Sequence, residues 1–249
     1  VLSPQIDVYR ARQALSERLV EIVPRLPTGL PAPVISPLTS SSSTVLVAGI
    51  TSKSRNAIDQ RTIADWTIKP RLLATPGVAK VAIFGGEVRQ LQVQLDPVKL
   101  RAHGVGLDEV LAAARRSTGV RGAGVLEDAN QRITIRAEGQ SATPEALGAT
   151  VLRERGGSIL RLRDVARVAI GPAPAFGEGA IDGERGLVIV ISAQLGGNTK
   201  VVGLAAEQAL ETLRPALVAE GLELHPPIFR PANFIDLALR NLTTSLLLG

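Results

Sequence analysis

The sequence predicts an α+β protein: a ferredoxin-like βαββαβ unit split in the middle by a smaller inserted α+β domain. Three observations carry this prediction. Residues 44–84 alternate between β-branched apolar runs and a helical apolar stripe, which reads as strand–helix–strand. Residues 179–229 repeat the theme as two strands, a helix and a closing strand. Joined, the halves spell the split βαβ arrangement, an antiparallel sheet with both helices on one face. The intervening residues 87–174 carry short strands and helices of their own.

The elements follow in order. Residues 8–23 place Val8, Ala11, Leu15, Leu19 and Ile22 on one helical stripe, with Asp7 as N-cap and Pro24 as stop. Residues 24–43 are rich in Pro, Gly and Ser and read as a connection; the serine run 40–43 is a loop. Thr44 opens a buried strand to Ile50. Residues 57–73 form a helix whose last turns Pro70 loosens. Thr75-Pro76-Gly77 turns the chain into a strand over 78–84, ended by Gly85-Gly86. In the second half, 179–181 is a short strand turned by Asp182-Gly183, and 187–192 a longer one. Asn198 caps a helix to about Ala219 whose apolar face is Val202, Ala206, Ala209, Leu213 and Leu217. Residues 222–229 close the sheet.

The insertion opens with clean alternation over 88–95, with Leu91, Val93 and Leu95 on the buried side. Two short helices (97–103 and 107–117), a strand at 132–137 and a helical turn at 144–148 follow. Extended segments at 159–165 and 166–170 complete it. A final helix, 234–249, carries Ile235, Leu239, Leu242 and Leu246 on one stripe, with Asn233 or Asp236 at its start. It becomes fully apolar at Leu246-Leu247-Leu248. A chain that opens on Val1, contains no Met and ends in such a run is expected to be part of a longer protein.

Composition excludes several function classes. Apolar residues make up 45% and charged residues 20%, so a core is available and disorder is not expected. There is no cysteine, hence no disulfide, thiolate metal site or cysteine nucleophile. The net charge of +5 comes from scattered arginines rather than a basic stripe with stacking aromatics, so no nucleic-acid partner is expected. No apolar run approaches the ~20 residues that cross a bilayer.

Chemical motifs are sparse. Gly119, Gly122 and Gly124 follow a helix rather than a strand, lack dinucleotide-binding context and read as a loop. The two histidines, His103 at a helix end and His225 on a strand surface, form no metal-ligand spacing with acids. Asp108-Glu109 suits a helix's first turn. No nucleophile–base set is present, so no catalytic residue, cofactor or metal site is expected.

Several motifs nonetheless resemble one family in order and spacing. Arg71-Leu72-Leu73, Thr75-Pro76-Gly77-Val78-Ala79-Lys80-Val81 and Phe84-Gly85-Gly86-Glu87-Val88 resemble the porter region of resistance-nodulation-division (RND) efflux permeases. Leu95-Asp96-Pro97 with Leu100, Gly104 and Leu107 is similar to the family's aspartate-proline helix. Leu162-Arg163-Asp164-Val165-Ala166 with Ile170-Gly171-Pro172 is similar to its return segment. Gly86-Glu87-Val88-Arg89-Gln90 and the shortness of 124–133 resemble the heavy-metal branch more than the multidrug branch.

The resemblance implies a division into the end of a first porter subdomain (1–39), a second porter subdomain (40–86 and 175–230), an inserted docking subdomain (87–174) and the start of a transmembrane helix (231–249). It implies a secondary transporter driven by proton influx, not an enzyme, in the bacterial inner membrane with this region facing the periplasm. It implies a homotrimer working with a periplasmic adaptor and an outer-membrane channel, held in the inner membrane through segments outside this chain. Thr44, Val47 and Phe84 resemble positions that line the substrate path; Phe84 matches as an aromatic and Val47 as an aliphatic, whereas Thr44 stands where an aromatic is typical. A rival expectation from a different class is a free-standing soluble ligand-binding module of the same ferredoxin-like form.

Overall fold

The computed structural model describes residues 6–27, 30, 32–39, 43–118, 122–128, 131–136, 143–155, 157–175 and 177–248, with backbone only for 122–128, 131–136, Arg155 and Leu248. Residues Val1, Ser40, Gly119, Ala137 and Gly249, which figure in the sequence reading, lie outside that set.

Helix α1 (Val8–Ile22) is capped by Asp7, whose carboxylate accepts from Tyr9 N at 2.8 Å, and ends in a single 3-10 turn, Val23–Arg25. Arg12 reaches back from it to the carbonyls of Ile35 and Ser36. Strand β1 (Thr44–Thr51) leads to α2 (Ala57–Ile63), a π-helical stretch (Ala64–Ile68) and α3 (Lys69–Leu73). The π-helical register has a local cause. Pro70 has no N–H to return to the carbonyl of Trp66, so the spacing of the turn before it relaxes. Strand β2 (Val78–Phe84) follows.

The chain then forms β3 (Arg89–Leu95), α4 (Pro97–His103), α5 (Leu107–Thr118), β4 (Gly122–Asp128) and β5 (Gln131–Arg136). Next come α6 (Pro144–Gly148), β6 (Val151–Arg155), β7 (Ser158–Arg161), α7 (Leu162–Val165) and β8 (Ala166–Pro172). Two expectations are corrected here. Residues 162–165 are a helical turn rather than extended, because the Asp164 carboxylate accepts from Arg161 N at 2.7 Å and closes the turn. The glycine segment from Gly122 is strand β4, not loop: paired with β5, it gains ladder hydrogen bonds that its composition does not advertise.

Strands β9 (Ala180–Ile181) and β10 (Glu184–Ala193), helix α8 (Thr199–Ala219), strand β11 (Glu223–Leu224) and helix α9 (Pro231–Leu248) complete the chain. The main sheet runs β11-β1-β10-β2, antiparallel throughout, with β9 hairpinned onto β10. The closing strand is shorter than its apolar run suggests, because Pro226 and Pro227 donate no hydrogen bond. Pairing resumes only at a bridge between Val47 and Phe229. Helix α9 starts at Pro231, so neither Asn233 nor Asp236 caps it. Asn233 accepts from Arg230, and Asp236 pairs with Lys200. No helix among the described residues is long and apolar enough to cross a membrane.

Two separate cores result. In the first, Leu46, Ala48, Ile50, Leu187, Ile189 and Ile191 meet Ala64, Ile68 and Leu72 from one helical layer and Val202, Ala206, Leu210 and Leu217 from α8. In the second, Val110, Ala113, Leu147, Leu162 and Val165 pack under the β3–β8 pair through Leu91, Val93 and Leu95. Fully burying such aliphatic side chains contributes about 1.5–3 kcal/mol each.

Candidate functional site

One face of the main sheet is covered by α2, α3 and α8; among the described residues the other is covered only in part, by Ile181 of β9 over Gly49 and by Phe234 of α9 against Phe229. Alternation places Val188, Val190 and Ser192 of β10 on this second face. Their cross-strand partners are Phe84, Ala82 and Lys80 on β2, and Gly49, Val47 and Thr44 on β1. The face thus brings together Thr44, Val47 and Phe84. Simple alternation would separate the first two, since residues three apart in a strand point to opposite sides. A β-bulge between Thr44 and Leu46 resolves this. The extra residue, Val45, is buried beside α8, where a Cβ at Gly203 would lie 3.8 Å from its Cβ. Thr44 is thereby turned to the open side.

The open face is apolar. Val47, Ala82, Val188 and Val190 are half-buried, while Phe84 is 53% exposed. Phe229 joins them opposite Val47, with backbone bonds Val47 N to Phe229 O (2.9 Å) and Ile228 N to Val47 O (2.8 Å). Sequence reasoning took Phe229 only as the end of a strand. The signal that could have found it is its position across from Val47, visible only once the register is known. At the far end, Ile181 lies over Gly49; a Cβ there would sit 2.7 Å from Ile181 Cδ1, so glycine lets the β9 hairpin rest on the sheet.

Polar groups on this side are few. Thr51 Oγ1 and His225 Nε2 lie 2.7 Å apart, which accounts for His225 as a strand-surface partner. Among the described residues no group of three or more His, Cys, Asp or Glu is placed to hold a metal ion. Phe84 also lines a cavity of about 250 Å³ with Arg61, Val88, Pro174 and Gly177. Arg61 is fixed there by Asp65 (2.8 Å) and by donating to the Gly85 carbonyl (2.9 Å). The surroundings therefore form an apolar, partly aromatic wall with a cationic end at Lys80, suited to bounding a cleft.

This antiparallel α+β unit with a long insertion after its second strand defines the class, and comparison with known proteins places it. The family model described as the AcrB/AcrD/AcrF family matches residues 2–249, and the chain belongs to that family. The cation efflux system protein CusA of Escherichia coli K12 is 34% identical over 250 residues, covering 97% of this chain and 23% of CusA. The putative cation efflux system protein SilA of Salmonella typhimurium is 33% identical over 249 residues, again 97% and 23%. The cobalt-zinc-cadmium resistance protein CzcA of Cupriavidus metallidurans is 25% identical, covering 98% and 23%. A crystal structure of a heavy metal efflux pump superposes with a TM-score of 0.78 at 22% identity, over 99% of this chain and 24% of that one. The chain thus spans about a quarter of the length of these relatives, and the family resemblance read from its motifs is borne out.

Proposed function

We propose that this chain is the periplasmic substrate-path and docking portion of a proton-driven inner-membrane efflux permease that exports heavy-metal cations. The observation that carries the reading is similarity over 97% of the chain to two cation efflux proteins at 33–34% identity. In this reading residues 1–39 end a first porter subdomain. Residues 40–86 and 175–230 are a ferredoxin-like porter subdomain, a reading supported by the strand order β11-β1-β10-β2. Residues 87–174 are an inserted docking subdomain with its own core, and 231–249 begin a transmembrane helix. Thr44, Val47 and Phe84 line the substrate path; their shared open face supports this. The permease is a homotrimer, joined by a periplasmic adaptor and an outer-membrane channel. It is a transporter, not an enzyme.

The open face itself favours a second reading, in which the same family member exports hydrophobic compounds. Phe84 and Phe229 flank aliphatic side chains on it. Expression of the full-length permease in cells stripped of their own efflux pumps separates the two. Resistance to copper, silver, cobalt, zinc or cadmium salts is the expected result. Resistance to lipophilic dyes and detergents alone would replace the first reading with the second.

A further inference from the structure

The chain holds a single tryptophan, Trp66, and the fold leaves it 80% exposed. The helical stripe that meets the sheet is Gln60, Ala64, Ile68 and Leu72, all buried. Trp66 projects the other way, from the π-helical stretch that Pro70 imposes. Beside it lies an open groove of about 730 Å³, bounded by the helix on one side and by the first residues of the insertion, Val88 and Arg89, on the other. Trp66, Leu73 (43% exposed) and Val88 (43% exposed) give it an apolar floor.

Its charge is one-sided. Arg61 and Asp65 neutralise each other at 2.8 Å. Lys69 and Arg89 also line the groove and take part in no ion pair among the described residues. Two uncompensated cations thus flank an exposed indole and two aliphatic side chains. Tryptophan and arginine are the residues most enriched where protein interfaces carry their energy. A second copy of this chain is a poor occupant, since the net charge is +5 and the groove is itself cationic. Nucleic acid is a poor one too, because Trp66 stands alone without further stacking aromatics around a basic track.

We propose that this groove docks an acidic segment of a partner protein, one that lays apolar side chains on Trp66, Leu73 and Val88 while carboxylates meet Lys69 and Arg89. The groove shares Arg61 and Val88 with the cavity beside Phe84, whereas Trp66, Lys69, Leu73 and Arg89 lie outside that cavity.

Trp66 is the reporter, because no other indole contributes to the emission. The purified chain is titrated with a synthetic peptide carrying a leucine pair between glutamate pairs, and with its lysine-for-glutamate counterpart. The expected result is a saturable blue shift with the glutamate peptide only, weakened by added salt as the Debye length shortens. The doubly substituted K69E/R89E chain should bind about tenfold more weakly. Both positions lie at the surface, and an unchanged far-ultraviolet circular dichroism spectrum confirms that this variant folds. Anisotropy of the labelled peptide should fall in the same way for Trp66→Ala. The proposal is overturned by no shift, by an equal shift with the lysine peptide, or by unchanged affinity in K69E/R89E. A shift that follows chain concentration alone would assign the groove to self-association. A shift with phosphatidylglycerol vesicles but not with the peptide would assign it to a lipid surface. Either of these also overturns the proposal.

Discussion

Phe84 and Ile189 sit on neighbouring strands of one sheet, yet truncating them should have different consequences. Ile189 is fully buried, in register with Ala48 on one side and Ile83 on the other, under both helical layers. Ile189→Ala loses the transfer free energy of the removed carbons and leaves a cavity that the flanking strands cannot close, about 3–4 kcal/mol in all. Phe84 is 53% exposed and borders open space. Its truncation forfeits roughly half of the 1.5–3 kcal/mol of full burial and creates no closed cavity, so about 1 kcal/mol. At ~2–4 °C per kcal/mol for a chain of this size, the melting point should fall by ~2–4 °C for Phe84→Ala and by ~6–16 °C for Ile189→Ala. Thermal melts followed by circular dichroism measure both. In the full-length permease, Phe84→Ala should change the range of exported substrates at unchanged protein level. Equal destabilisation by the two substitutions, or a fall in resistance that tracks protein level, would refute the assignment of Phe84 to an open wall.

Three further expectations follow from the geometry. Gly85→Ala should cost upward of ~3 kcal/mol, since φ is +81° and the new Cβ would lie 2.3 Å from the Gly186 carbonyl. Gly104→Ala, at φ +62° with nothing within 4 Å, should cost only about 1 kcal/mol; comparing the yields and melts of the two separates packing from backbone strain. The Glu211 carboxyl is held below its ordinary carboxylate value chiefly by its hydrogen bond to Arg214. The contribution of that pair to α8 is therefore present above the ordinary value and lost as pH falls through the lowered one. Hydrogen exchange around Glu211 should rise in strong acid, and Glu211→Gln should remove that dependence. Arg153 grips Glu109 with two bonds of 3.1 and 2.6 Å at half-exposed positions. A double-mutant cycle in urea should return a coupling of about 0.5–1 kcal/mol.

Much of the fold was legible in the chain because local chemistry and tertiary role agree. Asp7 and Asn198 stand at helix starts and accept from the backbone as expected of N-caps. Apolar alternation over 88–95 marks a strand that buries Leu91, Val93 and Leu95. What escaped depends on partners distant in sequence. The bulge at Val45 is set by packing against α8, and without it Thr44 and Val47 would not share a face. The early end of the closing strand was readable from Pro226-Pro227, yet the apolar run outweighed it. Phe229 entered the candidate face only through its bridge to Val47. The short helix α7 depends on one carboxylate closing a turn over three residues, a signal too local for any periodicity to carry.

The position of α9 gives the open face a consequence beyond its lining. Three contacts tie this helix and the segment leading into it to the sheet unit. Asp236 pairs with Lys200 in the first turn of α8. Arg230 pairs with Glu207 at 2.8 Å, with both side chains largely covered. Phe229 and Phe234 lie with ring centroids 6.5 Å apart. The first two contacts fasten α9 to a helix that packs directly beneath β1, while the third reaches the residue bonded to Val47. A displacement of α9 has two outcomes under these constraints. It carries α8, β1 and the open face along as one body, or it breaks two ion pairs and an aromatic contact. The contacts that would break are partly exposed, worth about 0–1 kcal/mol per ion pair, so they bias α9 toward moving with α8 without locking it there. Charge reversal at Lys200 and Glu207 should therefore loosen α9 without melting the sheet, and unchanged hydrogen exchange in α9 would refute its anchoring by these pairs.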